Sequence, residues 1–144
     1  VIVLDSYAVL ALLKGEPAAI QVQHLVEDEE DALLTSLGVA EVLDHLVRLA
    51  DAEEDEAVFD LAQLGLMTPA AVEADPGVRA GLLSARHYHR KNRAVSLADC
   101  VAAETSRQSD GRLASADPHL LDMCRDERID VIPLPDSASG IWSP

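Results

Sequence analysis

Val1-Ile2-Val3-Leu4, closed by Asp5 and continued by Ser6-Tyr7-Ala8-Val9-Leu10-Ala11-Leu12-Leu13, sets the architecture of this chain. Four consecutive apolar residues, mostly β-branched and without polar alternation, are the pattern of a strand buried on both faces of a parallel sheet. Residues 6–13 then read as a helix, stopped by Gly15 and Pro17. A strand passing directly into a helix opens a β–α unit, and ligands of open parallel sheets gather beyond the carboxyl ends of the strands. Asp5 stands at such an end.

The same grammar recurs along the rest of the chain. Residues 18–26 read as a second helix, 27–31 as an acidic solvated turn, and 32–35 as a second strand. Ser36 is placed to cap a long helix over 36–50, with another helix over 53–64. Residues 66–68 fit either a short strand or a mere connection, Pro69 weighing against the strand. The spacing predicts helices over 75–90, with Pro76 acceptable in the first turn, and over 97–106 and 118–127, with strands over 112–115 and 130–133. Strands alternating with helices argue for a layered α/β fold around a parallel sheet. Residues 1–135 read as one domain and 136–144 as a C-terminal tail. For Ile141 and Trp142 in that tail, docking on the body, burial at a dimer interface and disorder all fit.

The 144 residues suit a single core. At 49% hydrophobic but only 3% aromatic, that core must be built from Ala, Val, Leu and Ile. No apolar run approaches the ~20 residues of a membrane span, and residues 1–5 lack the basic and long apolar regions of a secretory signal. Cys100 and Cys124 form no metal or disulfide framework. A cytoplasmic protein with reduced thiols and no membrane association is expected. The formal charge is -15, and it is lopsided. Residues 1–60 hold 15 acidic and 2 basic side chains (-13), whereas residues 61–144 hold 11 and 9 (-2). Such a surface repels nucleic acid at long range and argues against a high-affinity, non-specific DNA or RNA binder.

Four carboxylates stand out. Asp5 follows the first strand and Asp117 lies just past the strand over 112–115, so both should emerge on one edge of the sheet; Glu41 and Asp99 lie on helices able to reach it. Each has a purely structural reading. Asp5 can cap the helix that follows, and Asp117 before Pro118 is the pattern of an N-cap with proline in the first turn. Ser96-x-x-Asp99 is the pattern of a capping box, and Glu41 shares a helical face with Asp44, His45 and Arg48 that can simply be solvated. Taken singly, none of the four identifies a site.

Their setting does more. Residues 3–13 (VLDSYAVLALL) with Gly15-Glu16-Pro17, 35–43 (TSLGVAEVL), 96–100 (SLADC) and 113–120 (LASADPHL) together resemble the PIN-domain family, specifically its VapC-type toxins. The four stretches keep the family's order and spacing from residue 3 to residue 120. The resemblance implies a PIN-like three-layer fold, with a central, mainly parallel sheet flanked by helices. It also implies a metal-dependent endoribonuclease that acts as the toxin of a toxin–antitoxin pair. Asp5, Glu41, Asp99 and Asp117 would form its acidic site and hold Mg²⁺ or Mn²⁺, with Glu41 binding directly or through water. Hard carboxylate oxygens suit those ions, and clustered carboxylates without a cation should retain a proton. Ser6 and Ser115 occupy positions where the family usually carries a small hydroxyl residue, which suits a hydrogen bond to an acid; for Ser6 helix capping competes. The resemblance further implies a homodimer, an RNA substrate and a cognate antitoxin covering the acidic pocket, to which the acidic first half would attract a basic segment.

Residues 86–93 read RHYHRKNR and gather Arg86, Arg90, Lys91 and Arg93 just before the helix of Asp99. They can grip RNA phosphates, with Tyr88 or a histidine stacking on a base, or they can compensate a helix C-terminus and acidic surroundings. His119 invites a general-acid role but also fits simple placement at a helix start. Two other readings compete with a nuclease. One is a catalytically silent PIN-like scaffold; the other, a phosphoryl-transfer or receiver domain, lacks the paired acids and lysine expected of it.

Overall fold

The computed structural model describes residues 1–28, 31–66 and 71–144. Four short parallel strands form its sheet: β1 (Ile2–Leu4), β2 (Ala32–Leu33), β3 (Arg112–Ser115) and β4 (Val131–Pro133), in the order β2-β1-β3-β4. β1 is central. Ile2 and Val3 sit opposite Ala32 and Leu33 on one side, while Ile2, Val3 and Leu4 sit opposite Arg112, Leu113 and Ala114 on the other.

Successive side chains of a strand point to opposite faces, and here they divide the core in two. Ile2, Leu4 and Ala114 face a layer built from α1 (Ser6–Lys14), α2 (Ala19–Glu27), α3 (Ser36–Asp44) and α4 (Glu54–Gln63). Val3 and Leu113 face α5 (Ala74–His87), α6 (Leu97–Gln108) and α7 (Pro118–Asp126). Every residue of β1 is buried, which explains its unbroken apolar sequence. The result is the three-layer α/β fold with a parallel central sheet that the sequence predicts. Among the described residues no helix is long and apolar enough to cross a membrane.

The differences from the sequence-based expectation lie at element ends. The second strand is two residues rather than four, and beyond it Thr35 caps α3, its hydroxyl accepting from Gly38 N at 3.1 Å. Ser36 is therefore the first residue of the helix and not its cap. The helix expected over 36–50 is α-helical only through Asp44. It widens into a π-helical turn over His45–Leu49, with Ala50 N donating to the His45 carbonyl at 3.1 Å, and Asp51 (φ 56°) reverses the chain. Apolar spacing cannot foresee that one-residue slip in the ladder. The helix expected over 75–90 ends at His87. Tyr88 turns extended, and His89 and Arg93 pair antiparallel through two backbone hydrogen bonds of 2.9 Å. Arg90, Lys91 and Arg93 consequently sit in a turn and not on a helix. Of the possible strand over 66–68, Leu66 is buried without strand pairing and residues 67–68 lie outside the described residues.

The C-terminal tail lies against the body. The Tyr7 hydroxyl donates to the Pro135 carbonyl (3.2 Å), Asp136 Oδ1 accepts from Ala138 N and Gly140 N, and the Trp142 indole donates to Asp122 Oδ1 on α7 at 2.9 Å. Of the three alternatives for Trp142, the structure takes docking on the body.

Candidate active site

β1 and β3 run parallel side by side, so whatever follows each of them surfaces at the same edge. Asp5 comes directly after β1, its backbone N donating to the Ala114 carbonyl at 3.2 Å, and it remains only 4% exposed at the start of α1. Asp117 comes two residues after β3 and opens α7. α6 brings Asp99 in its first turn, and α3 brings Glu41.

Local bonding fixes how each acid is aimed. Asp5 Oδ1 accepts from Ala8 N at 2.8 Å and Asp117 Oδ1 from His119 N at 2.9 Å. Asp99 Oδ2 accepts from Ser96 N at 2.9 Å while the Ser96 hydroxyl accepts from Asp99 N, a reciprocal capping box. Ser115, fully buried, uses its hydroxyl twice: it accepts from Asp117 N at 3.0 Å and bonds to the Asp5 carboxylate. Ser6 bonds to Glu41. The capping roles read from the sequence for Asp5, Asp99 and Asp117 are thus present, and the same bonds hold one oxygen of each carboxylate in place; Ser6 is not a cap, since Asp5 caps α1.

The electrostatics bind the four acids into one system. Burial pushes Asp5 up to about 7, the charges of Asp99 and Asp117 adding to it and the bonds to Ser115 and Ala8 opposing. Asp99 rises to about 6, again mainly by burial, with Asp117 and Glu41 contributing. Glu41 is raised by burial against the Ser6 bond. Carboxylates that shift one another in this way share a site. Neighbouring acidic positions do not join it: Asp44 is exposed and paired to Arg48 by two bonds of 3.0 and 2.8 Å.

A model of the PIN domain matches residues 2–126, a span that contains all four acids. The chain belongs to the PIN-domain family. No curated protein sequence matches it. Among solved structures it is similar to FitAcB from Neisseria gonorrhoeae, with a TM-score of 0.66 at 15% identity over 92% of this chain and 96% of that one. It is similar also to VapBC2 from Rickettsia felis bound to a DNA fragment from its promoter (TM-score 0.65, 12% identity, 91% and 96% covered). A third is a toxin–antitoxin complex from Klebsiella pneumoniae (0.58, 15%, 81% and 87%). At these identities the likeness concerns the fold.

The donor set of this PIN domain fits a hard divalent cation. Asp5 and Asp99 are buried acids driven toward protonation by burial and mutual repulsion, and a cation relieves both. Among the described residues no three acidic, His or Cys side chains close into a ready-made cage.

The basic stretch divides. Arg86 pairs with Glu127 (3.4 Å), and Arg93 pairs with Asp126 (2.8 Å) and donates to His87 Nδ1 (2.9 Å). These two compensate acidic groups at the C-terminal end of α7. Arg90 and Lys91 are exposed. His119 Nδ1 donates to the Asn92 carbonyl at 3.1 Å, a bond across 27 positions that no local pattern announces. Sequence reasoning also misses Glu127, which accepts from His87 Nε2 at 2.6 Å and from Arg107 at 3.1 Å and is held down at about 2.

Proposed function

We propose that this PIN domain is a metal-dependent endoribonuclease that hydrolyses RNA phosphodiester bonds and serves as the VapC-like toxin of a toxin–antitoxin pair. The observation that carries the reading is the convergence of Asp5, Glu41, Asp99 and Asp117, electrostatically coupled, at the carboxyl edge of two adjacent parallel strands. When bound there, Mg²⁺ or Mn²⁺ supplies positive charge that lowers the pKa of an attacking water and stabilises the phosphate. Asp5, Asp99 and Asp117, each aimed by a bond to a backbone N–H, would hold the ion. Glu41, bonded to Ser6, would help orient the attacking water, and Ser115 ties the Asp5 carboxylate to Asp117 N.

The toxin role draws support from the structural neighbours, one of which is a toxin–antitoxin complex. A cavity of about 570 Å³ has none of the four acids in its lining. It is lined by Leu12, Leu13, Val26 and Leu64 and rimmed by Glu27 and Asp60, a lining suited to an apolar, basic segment of an antitoxin. A cytoplasmic homodimer completes the proposal.

A silent scaffold is the second reading, and it draws on the fact that three of the four acids, Asp5, Asp99 and Asp117, already have a capping job. Cleavage of an end-labelled RNA pool separates the two. The nuclease cuts with Mg²⁺ or Mn²⁺, stops with EDTA, and loses activity in Asp99→Asn. Equal cutting by the variant would identify a contaminant, and no cutting by folded wild-type protein would favour the scaffold.

A further inference from the structure

The turn over residues 89–93 is unusually well fixed for an exposed loop. His89 and Arg93 close it through paired backbone bonds, and His89 Nδ1 accepts from Lys91 N (3.2 Å) and Asn92 N (3.0 Å). The His119 bond to the Asn92 carbonyl then latches it to the first turn of α7. His119 N in turn donates to Asp117 Oδ1, so the latch and the acidic site share one residue.

The turn also carries two exposed cations that no carboxylate neutralises among the described residues. Lys14, Arg48, Arg79, Arg86, Arg93, Arg107 and Arg125 are all engaged in ion pairs with carboxylates. Arg90 and Lys91, adjacent and exposed, form no ion pair among the described residues. Two unneutralised cations on a turn tied through His119 to Asp117, in a chain of net charge -15, offer a place for an anion near the site. The bonding rigidity removes most of the ordering entropy that a flexible basic loop would lose on binding.

We propose that the latched turn is a phosphate grip: Arg90 and Lys91 take a backbone phosphate of single-stranded RNA flanking the one presented to the acids, and His119 is the positioning residue that aims them. The proposal deepens the nuclease reading and rests on it for the choice of RNA. It assigns Arg86 and Arg93 to structure and not to substrate. Phosphate contacts of this kind set register and carry no sequence preference.

Binding of fluorescein-labelled single-stranded RNA of mixed sequence, in EDTA and across a salt series, tests the grip without requiring cleavage. Arg90→Ala/Lys91→Ala should weaken binding and lower the log–log salt slope by about 0.7 for each phosphate no longer gripped. In the cleavage assay it should raise KM roughly three- to tenfold with kcat nearly unchanged. His119→Ala should weaken binding in the intact turn and add nothing in the double variant, while His119→Gln, whose amide can still donate to Asn92, should restore it. Thermal melts check that each variant is folded; the surface double variant keeps the test valid if His119→Ala is not. An unchanged salt slope in the double variant, additive loss from His119→Ala, or no RNA binding by the wild-type protein at low salt would each overturn the grip. Turn-dependent binding without any cleavage would support the grip and overturn the nuclease reading.

Discussion

Removing a site acid should make the metal-free protein more stable, and Asp5→Asn is the clearest case. Asp5 is buried and its carboxyl sits at about 7 against an ordinary 3.8. The folded state therefore prefers the protonated form. Between roughly pH 4 and 7 the native protein holds a proton that the unfolded chain has released, so stability falls as pH rises through that window. About 3 pKa units at 1.36 kcal/mol each set a ceiling of roughly 4 kcal/mol of destabilisation above pH 7. Asn removes the charge and keeps the cap, since its carbonyl can accept from Ala8 N as Asp5 Oδ1 does now. Local relaxation trims the gain to about 2–4 kcal/mol, or roughly 5–12 °C in melting temperature for a chain of this length. The assay is a series of EDTA melts at pH 5, 6, 7 and 8. The variant should exceed wild type least at pH 5, where roughly 1 of the 3 units is already lost, and increasingly toward pH 8, and a residual slope from Asp99 should persist in both. Saturating Mg²⁺ should narrow the gap by stabilising only wild type. A gain of the same size at every pH, or none at pH 8, would refute the argument that burial and charge repulsion strain this site.

Other outcomes follow from particular side chains. A Cβ at Gly38 would overlap Leu34 Cδ1, and Leu34 is 1% exposed, so Gly38→Ala should cost about 1–3 kcal/mol in a denaturant melt. Glu127 is held near 2 by His87 and Arg107, a depressed value whose stabilisation is present above about pH 4.5 and lost as pH falls through 2. Glu127→Gln should accordingly lose up to roughly 3 kcal/mol at neutral pH, with the difference from wild type vanishing near pH 2. Trp142 is the single tryptophan, and Asp122→Ala should release its indole, red-shifting emission and raising acrylamide quenching at a cost of about 1 kcal/mol. Cys100 and Cys124 are buried thiols pushed up to about 11 and about 12, so a thiol reagent should label them only at the rate of unfolding.

The central fold was legible because burial on both faces leaves a plain trace: Val1-Ile2-Val3-Leu4 has no polar alternation, and each strand ends where a helix begins. The ends of elements were not legible, since they depend on bonds that side-chain period does not encode. Thr35 rather than Ser36 caps α3 because Thr35 has the extended backbone that lets its hydroxyl reach Gly38 N. The π-turn after Asp44 and the early exit at His87 are likewise decided by backbone partners. At the site, the four acids could be named from spacing within the family pattern. Their coupling could not, because it arises from burial and from approach of α3 and α6 to the sheet edge. Arg86 and Arg93 show the same limit: charge clustering in sequence was visible, but only their pairing with Glu127 and Asp126 tells which cations are already neutralised.

That separation bears on why the capping and metal-binding readings of the acids are not rivals. A carboxylate that accepts a backbone N–H through one oxygen has its second oxygen aimed by the helix it caps. Asp5, Asp99 and Asp117 each do this at a helix start, where the helix dipole also favours negative charge. The fold thus positions in Asp5 and Asp99 two charges that burial opposes, using bonds it needs anyway. A scaffold free of catalytic duty would be expected to carry Asn in place of Asp5, keeping the cap and shedding the repulsion. The acid at that buried position is the strongest physical argument in this chain for a bound cation, and the Asp5→Asn melts measure the energy on which it rests.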